Sequence, residues 1–367
     1  MSDINFRLVR LARDFRVLTQ TQLARRSGIA QPRLSRIEAG HSEPSDEEVD
    51  ALAEALAVPA TFFTPRAVPA AVPLFRKRAI RSARRVSAIQ ARLNIAVLVG
   101  QRLLDAGVEI DPPHLFPEPG EFDPAHPADA ANALRRNWRL PIGPVDNVTA
   151  LIEGAAGVVM FVDFGTDDAI AAFIATPADG RLWFLANTRE QAGDRVRLSL
   201  AHELGHAILH RMLPSYDEAE GELQAFEFAT TLLLPPETFN SALLSELLTL
   251  TTARQLKRVY GVSVQAIVRA AFVRSLISRD RYTSLFKQLS ARQWRTNEPD
   301  PVPLEKPHVW PEIIRIHREV HGYTNSEIAQ LAAVDEAILS ELFPREFTHR
   351  ALHIVRPTVR PAFETAT

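Results

Sequence analysis

The sequence predicts an α+β protein of several domains, and three observations support this prediction. The chain of 367 residues is longer than a single domain with one compact core usually is. Its hydrophobic content of 46% is enough to form several cores. Most of the chain repeats apolar residues at the three-to-four spacing of helices. Between residues 157 and 188, "GVVMFVDF", "AIAAFIAT" and "RLWFLANT" are apolar runs separated by turn residues, which is typical of a small sheet.

Changes in pattern divide the chain into four parts. Residues 1–65 contain short amphipathic helices that can enclose one small core. Residues 66–128 combine a long basic helix, beginning "RKRAIRSARR", with a segment of six prolines, "IDPPHLFPEPGEFDPAHPA", which cannot be helix or central strand. Residues 129–245 hold the three strands and the helices around them. Residues 246–367 are helical apart from a second proline-rich connector, "NEPDPVPLEKP".

Charge and cysteine content limit the chemistry. The net charge of −2 gives no indication of nucleic acid for the chain as a whole. The absence of cysteine excludes disulfides, thiolate metal sites and a cysteine nucleophile, and leaves histidine and carboxylates as metal ligands. The sequence lacks both a signal-peptide pattern and an apolar stretch of about 18 residues. We therefore expect a soluble, cytoplasmic protein with no membrane partner.

The stretch "AHELGHAILH", residues 201–210, predicts a metal site on a helix. Residues four apart lie on one helix face, so His202 and His206 can bind the same ion. Glu203 is rotated by about 100° from His202, where its carboxylate can hold a water and act as a general base. The ion indicated is zinc, which would polarise a scissile peptide carbonyl. The alternative is a core helix with hydrogen-bonded histidines.

A third ligand has to come from another segment. His210 lies about 12 Å along the helix axis from His202, which is too far for both to bind one ion, so we expect it to act behind the ligands. The following stretch, "YDEAEGELQAFEFATTLLLP", predicts an antiparallel helix. Glu222 lies on the apolar, inward face of that helix and is assigned as the third ligand. Glu218, one turn earlier, is the alternative.

The segments "LSLAHELGHAILH" and "ELQAFEFATTLLLP" resemble the ImmA/IrrE family of zinc metallopeptidases, in which HELGH is followed by E-x-[EQ]-A-[ND]-x-F-A-x-x-L-L-x-P. The resemblance extends upstream through "FLANTREQAGDRVRLSLAHE" and downstream through "EPDPVPLEKP". It implies zinc on His202, His206 and Glu222, with Glu203 as the base. Phe226 stands where the family has Asp or Asn, so a hydrogen bond that would orient a metal-bound histidine is missing.

A second motif lies near the N-terminus, in "LTQTQLARRSGIAQPRLSRIEAGHSEPS", residues 18–45. It predicts a capped helix over residues 20–27, a turn at Gly28, and a second helix that opens at Gln31 and Pro32. Proline is tolerated there because the first turn of a helix does not use its N–H groups. The pattern therefore predicts a helix-turn-helix.

The start of the second helix predicts the DNA contacts. We assign Gln31, Arg33, Ser35 and Arg36 as DNA-binding, since Gln and Arg make bidentate contacts with adenine and guanine. Residues 1–45 contain eight arginines and four acids, and this local excess favours phosphate contact. The stretch, including "SRIEAG", resembles the XRE (phage repressor-like) family, which implies a duplex DNA operator and a homodimer. The alternative is a helical protein-interaction domain.

The helix-turn-helix pattern recurs near the C-terminus. A shift of 305 residues places "TQTQLARRSGIAQPRLSRI" over "TNSEIAQLAAVDEAILSEL" with matching apolar positions. The outward positions become Glu336, Ile338 and Glu341, of which the two acids would repel phosphate. The pattern favours a degenerate helix-turn-helix that binds protein or closes the C-terminal fold, and the alternative is chance similarity between helices.

The two motifs predict a DNA-binding transcriptional regulator with a zinc endopeptidase domain. Its expected protein substrate is a repressor or another regulatory protein. The alternative is a transcription factor whose peptidase-like domain is weakly active or inactive and acts as a sensor or scaffold. The intact HExxH motif argues against a third class, a helical interaction protein with neither activity.

Overall fold

The predicted multidomain α+β class is confirmed by a largely helical chain with one small sheet. The computed structural model describes residues 4–64, 82–110, 122–123, 126–165, 172–175, 180–190, 192–210, 217–245 and 247–347. The basic residues 76–81 and most of the proline-rich segment that follows residue 110 lie outside these ranges. Among the described residues, none of the helices combines the length and apolarity needed to cross a membrane.

The N-terminal unit is built from four helices and a short 3-10 turn. These elements are α1 (Phe6–Phe15), α2 (Gln20–Ser27), α3 (Gln31–Glu38), α4 (Asp46–Leu56) and the turn Ala60–Phe63. Thr19 and Ser45 each start a helix with a reciprocal capping box, which satisfies N–H groups that have no partner inside the helix. Gly28 has a φ of 74°, so it ends α2 in the left-handed conformation and lets α3 begin three residues later.

The long helix α5 (Ala83–Asp105) joins the N-terminal unit to the rest of the chain. Its Gly100 packs on the ring of Trp183, where a Cβ would lie 2.3 Å from the nearest ring carbon. Its Arg102 is buried and donates hydrogen bonds to the carbonyl oxygens of Phe62 (3.0 Å) and Ala332 (2.9 Å). One helix therefore contacts the N-terminal unit, the sheet and the C-terminal helices.

The sheet has three strands in the order β1-β3-β2. They are β1 (Val158–Val162), β2 (Ala172–Ala175) and β3 (Trp183–Asn187), in agreement with the three predicted runs. Strand β1 is parallel to β3, and β2 is antiparallel to it. Because side chains alternate along a strand, Val158 and Met160 belong to one hydrophobic core and Val159 and Phe161 to another. The sheet thus separates two cores.

The second core encloses the helices that follow α5. They are α6 (Pro127–Asn137), α7 (Val148–Gly154), α8 (Gly193–Leu209), α9 (Glu218–Leu233), α10 (Pro236–Ser245), α11 (Leu250–Tyr260), α12 (Val264–Val273) and α13 (Arg279–Ala291). Side chains of α11 to α13, such as Ile267 and Leu285, are fully buried in the same core as α8 and α9. The second core therefore continues past the predicted boundary at residue 245.

The C-terminal helices return to the first core. They are α14 (Val309–Arg315), which continues as a π-helical turn over Ile316–Val320, then α15 (Asn325–Leu331), α16 (Glu336–Leu342) and α17 (Pro344–Phe347). Thr324 begins α15 with a capping box, 305 residues after the capping box of Thr19. Glu341 of α16 pairs with Arg92 of α5 and lies 3.7 Å from Arg16 at the end of α1.

Candidate metal centre and nucleic-acid interface

The predicted metal ligands lie on α8 and α9, which pack against each other. His210, at the end of α8, faces Gln224, whereas Gly205, earlier in α8, faces Phe228 later in α9. The two helices therefore run antiparallel, as predicted. This arrangement brings the inward face of α9 over the two histidines of the HExxH motif.

Three side chains converge between these helices: His202, His206 and Glu222. The two Nε2 atoms are 3.2 Å apart, and each lies 3.5 Å from one carboxylate oxygen of Glu222. A tetrahedral zinc ion with bonds of about 2.0–2.1 Å holds its ligand atoms about 3.3–3.4 Å apart. The donor types and their spacing therefore fit zinc. Among the described residues, this is the one group of three or more histidine, aspartate or glutamate side chains close enough together to hold a metal ion.

The charge state of Glu222 suits a metal ligand. Its side chain is 29% exposed, so the cluster is open to solvent on the α9 side, while His202 and His206 are buried. Burial by itself raises the pKa of Glu222, but hydrogen bonds and charge from the two histidines outweigh burial and hold the pKa well below its ordinary value. The carboxylate is therefore ionised at neutral pH.

The other two predicted acids of this region occupy different positions. Glu203 is buried directly beside His202 on α8 and is not a member of the three-residue cluster. Glu218 is the first residue of α9, one turn before Glu222, and its side chain lies outside what the structure describes.

His210 lies behind His206, as expected from the helix spacing. The Nδ1 atoms of the two rings are 3.0 Å apart, and His210 Nε2 is 2.8 Å from Oε1 of Gln224. Burial lowers the pKa of His210, although the hydrogen bond to Gln224 acts in the opposite direction. Sequence reasoning missed Gln224, because its contact with His210 arises only when α9 packs on α8. The E-x-[EQ]-A pattern does contain this position.

Phe226 occupies a buried position on the same helix, one turn after Glu222. The guanidinium carbon of Arg269, on α12, lies 3.8 Å from the centre of the Phe226 ring. A cation at this distance is attracted to the face of the ring. The residue that replaces the Asp or Asn of the family pattern is therefore packed under an arginine, a partner that the sequence did not indicate.

The start of α8 is fixed by buried charges. Lys257 of α11 is 2% exposed, and its Nζ lies 2.7 Å from Asp194 and 3.0 Å from Glu298. Glu298 also accepts hydrogen bonds from the backbone N–H groups of Val264 and Gln265 at the start of α12. A buried cation held by two carboxylates resists displacement, because breaking either pair leaves a charge without compensation. The network ties α8 to α11 and α12.

The second candidate surface is the N-terminal end of α3. Gln31 and Arg36 are exposed, and Ser35 is partly exposed. The side-chain nitrogen of Gln31 donates a hydrogen bond of 3.0 Å to Oε1 of Gln20 on α2, which orients the Gln31 side chain. These three assigned residues therefore lie where a double helix could reach them, on a helix short enough for the major groove.

Arg33, the fourth residue assigned to DNA, is held by its own domain. Its Nε and Nη2 donate to the two carboxylate oxygens of Glu48, at 2.9 and 2.7 Å, and its guanidinium also donates to Ser42 and to the carbonyl oxygen of Glu43. The hydrogen bond from Arg33 lowers the pKa of Glu48. This bidentate pair joins α3 to α4 and occupies the donors that a guanine contact would need.

Comparison with protein families gives one match for each of the two regions. Residues 9–63 match the family model for the helix-turn-helix, and residues 170–272 match the model for the IrrE N-terminal-like domain. The chain joins a helix-turn-helix domain to an IrrE-like domain. The helix-turn-helix match runs from within α1 to the end of the 3-10 turn after α4. The IrrE-like match runs from the residues before β2 to α12 and includes all three residues of the metal cluster. No curated protein matches the chain.

Proposed function

We propose that the protein is a DNA-binding transcriptional regulator whose IrrE-like domain is a zinc-dependent endopeptidase acting on a repressor or another regulatory protein. The observation that carries the proposal is the convergence of His202, His206 and Glu222, at spacings suited to a tetrahedral ion, with Glu203 buried beside them. If the three histidines only formed hydrogen bonds inside a core helix, an ionised carboxylate from a second helix would not be required beside them.

Each residue of the site has a separate role in this proposal. His202, His206 and Glu222 would hold the ion, and the side chain of Glu222, 29% exposed, marks the side from which a substrate could approach. When bound, the ion would supply a Lewis acid that polarises the peptide carbonyl. Glu203 accepts the proton of the attacking water and later delivers it to the amine nitrogen as the peptide bond breaks.

The helix-turn-helix domain supplies the DNA-binding half of the proposal. We assign Gln31, Ser35 and Arg36 to base edges in the major groove, because these side chains stand at the accessible start of α3. Arg33, held by Glu48, fixes the orientation of α3 relative to α4. Domains of this type usually bind paired half-sites, so the proposal includes a homodimer on a duplex operator.

The proposal is tested by trapping the substrate. Glu203→Gln deletes the proposed base and keeps the three ligands, so the variant should hold its protein substrate without cutting it. Proteins captured on immobilised Glu203→Gln protein are then incubated with the original protein, with and without zinc. Zinc-dependent cleavage of a captured protein supports the proposal. Capture without cleavage by the zinc-loaded original protein contradicts it.

A second candidate function rests on Phe226. Its ring lies under Arg269, where the family pattern has a residue able to hydrogen-bond a metal-bound histidine. In this alternative the IrrE-like domain binds metal but is a sensor or scaffold of weak or no activity. Zinc bound with full occupancy, operator DNA recognised and no cleavage of any captured protein would favour it over the endopeptidase.

We propose that the C-terminal helices close the fold and do not contact DNA. Glu341 stands 305 residues after Arg36, at the corresponding position of a helix pair with the same capping box. Its carboxylate pairs with Arg92 of α5 and approaches Arg16 of α1. The position that would face DNA in the N-terminal unit therefore faces this chain's own arginines in the C-terminal one.

A further inference from the structure

We propose that Arg84 and Arg85, in the first turn of α5, bind the phosphate backbone of DNA beside the site contacted by α3. The inference rests on the DNA-binding half of the function proposed above. It extends the DNA-binding surface to a helix that lies outside the helix-turn-helix match. Three observations support it: the contact between α5 and α2, the charge that the two arginines retain, and the composition of the surrounding sequence.

The first turn of α5 lies against the start of α2. The guanidinium of Arg84 donates to the backbone carbonyl oxygen of Val17, just before α2, and its Nη2 lies 3.3 Å from Oε1 of Gln22 in the first turn of α2. At the same end of α2, Gln20 accepts a hydrogen bond of 3.0 Å from Gln31. The start of α2 therefore contacts α5 on the one hand and the start of α3, which we assign to DNA, on the other.

The position of α2 in a helix-turn-helix indicates what lies near this contact. When the second helix of the motif enters the major groove with its first residues on the base edges, the first helix crosses the phosphate backbone that borders the groove. Here α2 is the first helix, and its start adjoins the start of α3. Cationic side chains at the start of α2 consequently stand close to the phosphates that border the groove.

Both arginines are exposed and keep a positive charge that a phosphate can use. Among the described residues, the partners of Arg84 are a backbone carbonyl and an amide oxygen, which orient its guanidinium without neutralising it. Arg85 forms no ion pair within the described part of the chain. Arg33 differs, because the carboxylate of Glu48 compensates its charge.

The surrounding sequence is strongly basic in a chain whose net charge is −2. Arg84 and Arg85 are the last two of six basic residues in "RKRAIRSARR", residues 76–85, a stretch without an acidic residue. The first two turns of α5, "ARRVSAIQ", also lack an acid. A cation beside DNA contacts phosphate whatever the base sequence, so the partner that fits this surface is the backbone of the duplex.

The salt dependence of DNA binding tests the proposal. In the double variant Arg84→Gln and Arg85→Gln, the amide at position 84 can still donate to Val17, but both charges are lost. Each phosphate contact contributes about 0.9 to the slope of log K against log salt concentration, so the slope should become shallower by about 1.8. The change should be equal on a duplex selected from a random library and on an unrelated duplex, because phosphate contacts carry no sequence information.

Charge and position are controlled separately. Arg84→Lys with Arg85→Lys keeps both charges and should retain the original slope. Arg85→Gln alone, at an exposed site, should reduce the slope by about 0.9, whereas Arg136→Gln, at an exposed site on α6, should not change it. All variants are compared at equal melting temperature, which shows that the fold is intact.

Two results would overturn the proposal. One is an unchanged slope in both Arg85→Gln and the double glutamine variant. The other is a loss of binding confined to the selected duplex, which would make the two arginines base contacts. Failure of the original protein to bind either duplex would overturn the proposed DNA-binding function instead.

Discussion

Gly205 of α8 packs closely against Phe228 of α9, at the interface between the two helices that carry the proposed metal ligands. A Cβ at position 205 would lie 3.0 Å from Cδ1 of Phe228 and 3.2 Å from both Cα and O of Ala225. Two of these three neighbours are backbone atoms, which cannot rotate away as a side chain can. The missing side chain of Gly205 therefore sets the distance between the two helices that carry the ligands.

Gly205→Ala should reduce zinc affinity while leaving the helices intact. The added methyl group forces α9 outward by a few tenths of an ångström, and metal geometry is sensitive to displacements of about 0.5 Å. We expect about a 10-fold loss of affinity in chelator competition, without loss of helical signal in circular dichroism. Gly154→Ala is the control, since a Cβ there would meet nothing within 4 Å. Equal zinc affinity in both variants contradicts the role of Gly205.

The three ligands should together bind one zinc ion per chain. His206→Ala should abolish stoichiometric zinc in metal analysis of the purified protein, because two remaining ligands rarely suffice. Glu222→Ala should do the same. Full occupancy in His206→Ala would exclude the assignment. Full occupancy confined to Glu222→Ala would transfer the third ligand to Glu218.

Glu203→Gln should separate catalysis from metal binding. The substitution keeps size and hydrogen bonding, deletes the base and removes no ligand. Zinc content and thermal stability should persist, while the cleavage rate of a captured substrate should fall by about 10²- to 10⁴-fold, the usual contribution of a general base. A rate equal to that of the original protein would falsify the role of Glu203.

Arg36→Ala should weaken specific DNA binding more than nonspecific binding. Loss of one bidentate base contact costs about 1–3 kcal/mol and relaxes specificity at one position. The comparison uses a duplex selected from a random library and an unrelated duplex of equal length, at one salt concentration. Equal losses on both duplexes would make Arg36 a phosphate contact.

Arg33 and Glu48 provide the internal control for that measurement. Arg33→Glu and Glu48→Arg each place like charges against one another, so each should lower the melting temperature of the helix-turn-helix domain. The double variant restores the ion pair but not the capping box between Glu48 and Ser45, so it should recover part of the melting temperature and, with it, binding to the selected duplex. Recovery of stability without recovery of specific binding would show that Arg33 contacts a base after all.

Glu346 should make stability depend on pH. Burial raises the pKa of its carboxyl to about 7, against the opposing charges of Arg345 and Arg318. The folded state therefore binds its proton more tightly than the unfolded state does, and the free energy of unfolding should fall as pH rises from about 4.5 to 7, by about 1–3 kcal/mol. Glu346→Gln should remove this decline in denaturant titrations, whereas Glu54→Gln, at an exposed site, should not. An unchanged profile in Glu346→Gln contradicts the prediction.

Sequence patterns within single helices and strands were sufficient to predict much of the fold. The periods of helices and strands predicted the α+β class, the three strands and the turn at Gly28, all of which the structure confirms. Helix spacing also placed His202 and His206 on one face and Glu222 on the inward side of the next helix. These features depend on residues a few positions apart, whose geometry is fixed by local backbone conformation.

Contacts between elements were decided only by the tertiary structure. Arg33 has the outward spacing of a base-reading residue, but Glu48, on another helix, binds its guanidinium. The two faces of the sheet border different cores. Helices α14 to α17 pack in the core that contains the N-terminal unit, and α11 to α13 pack in the core that contains the metal site. His210, at the end of α8, contacts Gln224 only because α9 packs across it. Sequence spacing specifies which face a side chain occupies, but the partner it meets there depends on how distant segments pack, and no local period encodes that packing.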